Sequence, residues 1–134
     1  MDIAYPQPEG LVVSPAFSHV AVVPPGSTTI YVGGQNGVDA SGAIVSADVA
    51  DQAARALDNA EVALQAAGAT LADVVSWTVL VHVDADLRAA YGAVGPKLAR
   101  EGAPPLVTAA RVAGLGVPGA LIEVSAVAAI PPAR

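Results

Sequence analysis

The sequence contains no cysteine. This absence excludes a disulfide framework, a thiolate nucleophile and a cysteine-based zinc site. Disulfides are typical of proteins from oxidising compartments, and the absence of cysteine means that no disulfide pattern points to such a compartment here. We therefore expect a cytoplasmic protein.

Charged residues are also scarce. They make up 13% of the chain, whereas hydrophobic residues make up 54%; soluble domains usually have roughly 25% charged residues. So little charge would leave apolar surface uncovered on a monomer, so we expect part of the surface to be buried between subunits.

Long hydrophobic runs and basic clusters are missing as well. The longest apolar runs, such as 79–81 and 126–130, are far shorter than the ~20 residues that cross a bilayer. The first residues, Met1-Asp2-Ile3, lack the basic and apolar regions of a secretory signal. The net charge of −6, with only six scattered Lys and Arg residues, would repel a polyanion. We expect neither a membrane segment nor nucleic-acid binding.

What is present is a succession of strand and helix patterns. Asp48 is a good N-cap for a helix that ends before Gly68, and Asp84 or Asp86 can cap a second helix reaching about residue 101. Gly95-Pro96 is expected to kink or interrupt that second helix. Strands are predicted over 11–13, 17–23, 28–32, 73–83, 106–113 and 121–130. The order predicts a single α+β domain over 1–134, with its core at about 11–130 and both helices on one face of a mixed sheet.

Glu123 is the most informative single residue. It lies inside the final strand pattern, which otherwise reads as buried sheet. A carboxylate is costly to desolvate unless it is paired or hydrogen-bonded. Glu123 therefore has a partner, or it faces a cleft.

Other candidates have weaker signals. Gly33-Gly34-Gln35 follows a strand pattern and is compatible with either a bulge or a site that needs close backbone approach. His19 and His82 lack metal-ligand spacing, so structural roles are favoured and no metal site is expected. No G-x-S-x-G motif marks a serine nucleophile. Trp77, on the valine-bearing face of its strand, is expected in the core.

Several segments together resemble one protein family. They are Val32-Gly33-Gly34-Gln35, the stretch 48–59 (DVADQAARALDN), the stretch 67–75 (AGATLADVV) and the stretch 118–128 (PGALIEVSAVA). In this order, across residues 11 to 130, they are similar to the Rid family, also called the YjgF or L-PSP endoribonuclease family.

The resemblance implies a chorismate-mutase-like fold, a homotrimer and three ligand clefts between subunits. It also implies hydrolysis of enamines or imines derived from amino acids, with no cofactor. In the best-known members, an Arg just after the Pro that opens the penultimate strand clamps the substrate carboxylate. A Glu at the position of Glu123 is thought to help position water.

The chain departs from this pattern at three positions. Val107 stands where the resemblance places the Arg, Phe17 where many members have Tyr, and Ala85 where Asn is frequent. A valine cannot make the bidentate contact that a carboxylate needs, so the usual clamp is absent. Arg111 lies four residues along the same predicted strand, about 13 Å away at ~3.3 Å per residue. It either forms a displaced anion site or pairs with Glu123 or with another subunit's carboxylate.

Two hypotheses from different classes follow. In the first, a trimeric enzyme hydrolyses a small metabolite at a C=N or enamine carbon, and Glu123 orients water. Phe17, Val107 and Ala109 then form an apolar wall, and Gly34 and Gln35 a polar rim. In the second, a trimer binds a small ligand, or acts as a scaffold, without turnover. Ribonuclease activity is a third and weaker hypothesis, because the chain is acidic.

Overall fold

Two α-helices and a four-stranded sheet make up the fold in the computed structural model, which describes residues 1–133. In chain order the elements are β1 (Thr28–Asn36), α1 (Val49–Ala66), a short 3-10 helix (Leu71–Asp73), β2 (Val74–His82), α2 (Leu87–Leu98), β3 (Leu106–Val112) and β4 (Ile122–Ile130). The predicted order of strands and helices is confirmed from β1 onwards.

The sheet is mixed, with strand order β1-β4-β2-β3. β4 runs antiparallel to both of its neighbours, while β2 and β3 are parallel and joined through α2. The helices cover the face that carries Trp77, Val79 and Val124, all less than 9% exposed. We call the opposite face, which carries Tyr31, Thr78 and Glu123, the open face. β1 and β3 are its two edges.

α1 forms where the sequence places it. The Asp48 carboxylate accepts a hydrogen bond from the N–H of Ala50 at 2.9 Å, which caps the first turn. The apolar side of the helix is buried from Val49 to Leu64. The helix ends at Ala66, and Ala67 is exposed because Gly68, at φ +79°, turns the chain away.

Asp86 caps the start of α2, since its Oδ1 accepts hydrogen bonds from the N–H groups of Arg88 and Ala89. Of the two effects predicted for Gly95-Pro96, a kink or an interruption, the interruption does not occur, since the helix continues to Leu98. Pro96 is in the last turn of the helix. Its missing N–H removes a single helical hydrogen bond, and the helix ends two residues later. The helix also ends before the predicted residue 101.

The two strands predicted at 11–13 and 17–23 are wrong. This part of the chain forms only an isolated bridge between Ala4 and Val22. Val12 and Val13 are 65% and 77% exposed. Instead of joining the sheet, the segment is fixed at the start of β3, where the N–H of Ser18 donates to the carbonyl of Pro105. β-branched composition predicted a strand here, but no sheet edge is paired with these residues.

β1 is longer than predicted and contains a bulge. The strand extends to Asn36, and its register against β4 shifts between Val32 and Gln35. The glycine pair 33–34 lies opposite a single residue of β4, Ser125, so β1 has one extra residue here, which confirms the bulge interpretation of that motif.

Of the helices described over residues 1–133, none is both long and apolar enough to cross a membrane.

Candidate functional site

Glu123 is in β4 on the open face, next to Leu80 of β2 and Asn36 of β1. Its side chain is partly buried. Within residues 1–133 the carboxylate has neither a hydrogen bond nor an ion pair. Of the two alternatives that the sequence left open, a partner or a cleft, the chain by itself supplies no partner.

The bulge in β1 places Gly34 directly against this carboxylate. A Cβ atom built on Gly34 would lie 2.7 Å from Cδ of Glu123, and 2.9 and 3.1 Å from its two carboxylate oxygens. Any side chain at this position would therefore occupy the space of the carboxylate. Gln35 turns back on the bulge, since its Nε2 donates to the carbonyl of Gly33 at 3.2 Å.

A buried amide supports the start of β4 from the helix layer. Gln52 of α1 is fully buried, and its Oε1 accepts a hydrogen bond from the N–H of Leu121 at 2.8 Å. Its Nε2 donates to the carbonyls of Ser46 and Gly119, at 2.8 and 3.2 Å. Gln52 thus ties α1 to the residues that lead into Glu123.

A second buried amide acts from β1. Nδ2 of Asn36 donates to the carbonyl of Ile122 at 2.9 Å, and Asn36 is only 6% exposed. Asn59 of α1 donates in turn to the carbonyls of Asn36 and Val38. Sequence reasoning missed Gln52 and Asn36; the available signal was a glutamine within the apolar stripe of α1.

On the helix side of the sheet, a cavity of about 640 Å³ separates α2 from the strands. Phe17, Trp77, Val79, Val94, Leu98 and Val107 are among the residues that line it. Phe17 and Val107, predicted as parts of one apolar wall, do lie together here. Val107 is 37% exposed on the edge strand β3. Ala109 follows on the same face of β3, opposite Val79 of β2, and is exposed.

A lysine helps to hold α2 over this cavity. Nζ of Lys97 lies 2.6 Å from the carboxylate of Asp58 and 3.0 Å from that of Glu61, both on α1. The hydrogen bonds to Asp58 and Glu61 raise the pKa of Lys97. α2 is thereby attached to α1 while it leaves a gap above the strands.

The predicted site residues therefore fall into two groups on opposite faces of the sheet. Ile122 and Val124 line the cavity, whereas Glu123, between them, projects to the open face. Gly34 and Glu123 form one group, and Phe17 and Val107 the other. A single chain does not bring the two groups together.

Arg111 belongs to neither group. Its Nη2 donates to the carbonyl of Val83 at 2.7 Å and to that of Ala85 at 3.2 Å. It therefore fixes the turn between β2 and α2. No ion pair joins Arg111 to Glu123 within the described chain, because the two side chains project from opposite faces of the sheet.

Arg100, which sequence reasoning did not select, lines the cavity but is engaged elsewhere. Its Nε donates to the carbonyl of Ala103, and its Nη1 donates to those of Ala72 and Val74. Its Nη2 donates to the hydroxyl of Tyr5, and the guanidinium lies 5.8 Å from the centre of that ring. Arg100 thus joins the N-terminal segment to the start of β2.

The two histidines engage local partners, in keeping with the structural roles favoured from the sequence. Nε2 of His19 lies 2.7 Å from the carbonyl of Val12. Nδ1 of His82 accepts a hydrogen bond from the N–H of Asp84 at 3.0 Å. Over residues 1–133, no group of three or more His, Asp or Glu side chains is arranged to hold a metal ion.

Comparison with known proteins defines the class of this fold and site. The family model described as Endoribonuclease L-PSP matches residues 11–130. The chain therefore belongs to this family, which is also the Rid or YjgF family.

Solved structures agree with this assignment. The Rid-family protein YyfB from Yersinia pestis is 30% identical, with a TM-score of 0.82 over 97% of this chain and 100% of that one. TdcF of E. coli, solved with bound serine, is 27% identical, with a TM-score of 0.68 over 79% of this chain and 83% of that one. The expected chorismate-mutase-like fold is confirmed.

A human 2-iminobutanoate/2-iminopropanoate deaminase is also similar. It is 48% identical over 54 residues, a segment that covers 40% of this chain and 39% of the human protein. The matched segment thus spans well under half of either protein.

Proposed function

We propose that this protein is a cytoplasmic homotrimer that hydrolyses a small metabolite at a C=N or enamine carbon, without a cofactor. The observation that carries the proposal is the Glu123 carboxylate. It is partly buried, has no partner among residues 1–133 and lies against a glycine that leaves room for it. A carboxylate in this state is available to orient a water molecule or to accept its proton.

The relatives support this reaction class. The human protein is named as a deaminase of 2-iminobutanoate and 2-iminopropanoate, and the structure of TdcF contains bound serine. Both names concern small amino-acid-derived molecules. By analogy, the substrate of this protein is a small imine or enamine.

The proposed reaction needs only water and one acid–base group. Glu123 accepts a proton from water as the water oxygen bonds to the imine carbon, and it passes that proton to the nitrogen, so that the C=N double bond becomes a single bond in a carbinolamine. Glu123 then accepts the hydroxyl proton as the C=O bond forms and gives it to the nitrogen as the C–N bond breaks. The products are a carbonyl compound and ammonia, so the atoms balance without an oxidant or reductant.

A trimer is part of the proposal because one chain separates the two halves of the site. Glu123 and Gly34 lie on the open face, whereas the cavity with Phe17 and Val107 lies under the helices. Contact between copies unites them if the Glu123 face of one copy meets the Val107 edge of the next. The 80% exposure of Tyr31 on the open face is in keeping with a surface that another copy covers.

A second candidate function is ligand binding without turnover. The observation that favours it is Val107, which lines the cavity where the family resemblance implies an Arg clamp. Ribonuclease activity has least support, because the net charge of −6 would repel RNA.

The test is an imine-hydrolysis assay. An amino-acid oxidase generates imino acids from a panel of charged, polar and apolar amino acids, an amine oxidase generates uncharged imines from primary amines, and the disappearance of both kinds of imine is followed with and without the protein. We expect acceleration for at least one imine, and a loss of about 10²–10⁴-fold in Glu123→Gln. The fold should persist in that variant, since no hydrogen bond of the carboxylate is lost. If no imine is accelerated, the hydrolase proposal fails and the binding function takes its place.

A further inference from the structure

The cavity between α2 and the sheet is lined mostly by apolar side chains, and this lining restricts the kind of ligand that it can bind. Among its lining residues, Arg100, Tyr91 and Trp77 have polar atoms in their side chains, Trp77 only through its indole N–H. The others are aliphatic, proline or glycine, together with Phe17. At about 640 Å³, the cavity is within the range of pockets that enclose small molecules.

Arg100 is not free to bind an anion in this cavity. Its four hydrogen bonds to Ala72, Val74, Ala103 and Tyr5 use four of the five N–H groups of a guanidinium. Binding a carboxylate bidentately would require breaking contacts that hold the N-terminal segment and the start of β2. The guanidinium of Arg100 thus already donates its hydrogen bonds to three backbone carbonyls and the Tyr5 hydroxyl.

Among the residues that the structure describes, no other Lys or Arg lines the cavity. Lys97 is paired with Asp58 and Glu61 on the outer side of the helices, and Arg111 is bound to the turn at 83–85. A ligand carboxylate in this cavity would therefore lose its water without gaining a charged partner, which is unfavourable. The net charge of −6 opposes an anion further.

Tyr91 supplies an uncharged polar group at the edge of the cavity. It is 39% exposed, so its ring lies at the rim of the cavity. A phenol hydroxyl can donate one hydrogen bond to a neutral nitrogen or oxygen. The rim can therefore orient an uncharged polar group while an apolar body fills the interior.

We propose that this cavity binds a neutral small molecule with a bulky apolar part, aromatic or branched aliphatic. The substrate of the Glu123 site is then an uncharged imine rather than an imino acid. This second statement rests on the proposed hydrolysis; the binding preference does not.

The test uses Trp77, the single tryptophan of the chain, which lines the cavity. A bromine atom quenches indole fluorescence at short range, so 4-bromobenzyl alcohol and 4-bromobenzoate form a matched pair that differs in charge. We expect saturable quenching by the alcohol, with an affinity at least about tenfold above that of the benzoate. Equal affinities, a preference for the benzoate, or quenching that does not saturate would overturn the proposal.

Two variants locate the probe. Val94→Phe fills the cavity from α2 and should weaken binding of the alcohol about tenfold, with folding checked by circular dichroism. If that variant does not fold, Val107→Arg serves instead, since Val107 is partly exposed at the edge. The new guanidinium should reverse the preference in favour of the benzoate.

Thr108→Arg is the matched control, because it places the same charge one residue further on, on the opposite face of β3. It should keep the wild-type preference for the alcohol. If Thr108→Arg shifts the preference as much as Val107→Arg does, the effect is one of net charge and the cavity is not the binding site.

Failure of this inference is distinguishable from failure of the proposed function. Binding of the neutral probe without hydrolysis of any imine would leave the cavity preference intact and reject the hydrolase. Hydrolysis of imino acids, combined with no preference for the neutral probe, would keep the hydrolase and reject the neutral-ligand proposal.

Discussion

The carboxylate of Glu123 occupies the space that the missing side chain of Gly34 leaves open. The bulge in β1 brings the backbone of Gly34 so close to the carboxylate of Glu123 that a methyl group on Gly34 would lie 2.7 Å from Cδ. Two segments that are 89 residues apart in the sequence (123 − 34 = 89) are thus matched at the level of single atoms. The absence of a side chain at Gly34 therefore allows the Glu123 carboxylate to lie in this position.

Gly34→Ala should therefore impair the site more than the fold. The atom that a new Cβ meets is the end of a flexible side chain, so Glu123 can swing away and the strand pairing can remain. We expect imine hydrolysis to fall about 10–100-fold, with a change in the free energy of unfolding below about 1 kcal/mol. Steady-state kinetics and urea unfolding measure the two effects.

The control for that variant is Gly33→Ala. A Cβ on Gly33 has no atom of another residue within 4 Å. This variant should retain activity close to wild type. Equal losses in the two variants would show that the bulge as a whole matters, and that the contact between Gly34 and Glu123 does not.

Gln52 should contribute strongly to stability, because its amide is fully buried and makes three hydrogen bonds to the backbone. Gln52→Leu removes hydrogen bonds to Ser46, Gly119 and Leu121 and leaves their backbone groups without this partner. We expect a loss of about 2–4 kcal/mol in the free energy of unfolding, measured by urea denaturation. Gln65→Leu, at an exposed position of the same helix, should change it by less than about 0.5 kcal/mol. Similar values for the two variants would contradict the role given to Gln52.

Acid should weaken the loop between β1 and α1. The hydroxyl of Ser41, followed by the N–H groups of Ala43 and Ser41, lowers the pKa of Asp39 below its ordinary value. A depressed pKa means that the ionised form stabilises the fold at higher pH, and that this contribution is lost as pH falls through the folded-state value, below about pH 4. Thermal midpoints of wild type and Asp39→Asn should therefore differ in slope in that range. Parallel curves would contradict this assignment.

The sequence was sufficient for the elements that carry a regular pattern. α1 has both a capping residue, Asp48, and an apolar stripe, and its predicted and observed bounds agree closely. The strands at 11–13 and 17–23 were wrong because valine content reports a preference for extended backbone, whereas a strand also needs a neighbour to pair with. Only the tertiary arrangement shows that both edges of the sheet are formed by other segments.

The candidate site was predictable in part. A single charge inside an apolar strand pattern indicated Glu123, and the glycine pair indicated the bulge. The sequence could not reveal that Phe17 and Val107 lie across the sheet from Glu123, because alternation assigns side chains to faces but does not say which face of each strand the helices cover. The partners of Arg111 could not be predicted either. The carbonyls of Val83 and Ala85 come within its reach only because β3 pairs in parallel with β2 after the crossover through α2.

The central claim is that Glu123 of one copy acts on a molecule held in the cavity of another. It is tested most directly by mixing two impaired variants, Glu123→Gln and Val94→Phe, after denaturation and joint refolding. In a mixed trimer, some sites combine the intact carboxylate of one chain with the intact cavity of its neighbour. For random assembly at equal amounts, about a quarter of wild-type imine hydrolysis should return. Activity that stays at the mean of the two separate variants would contradict a site shared between copies.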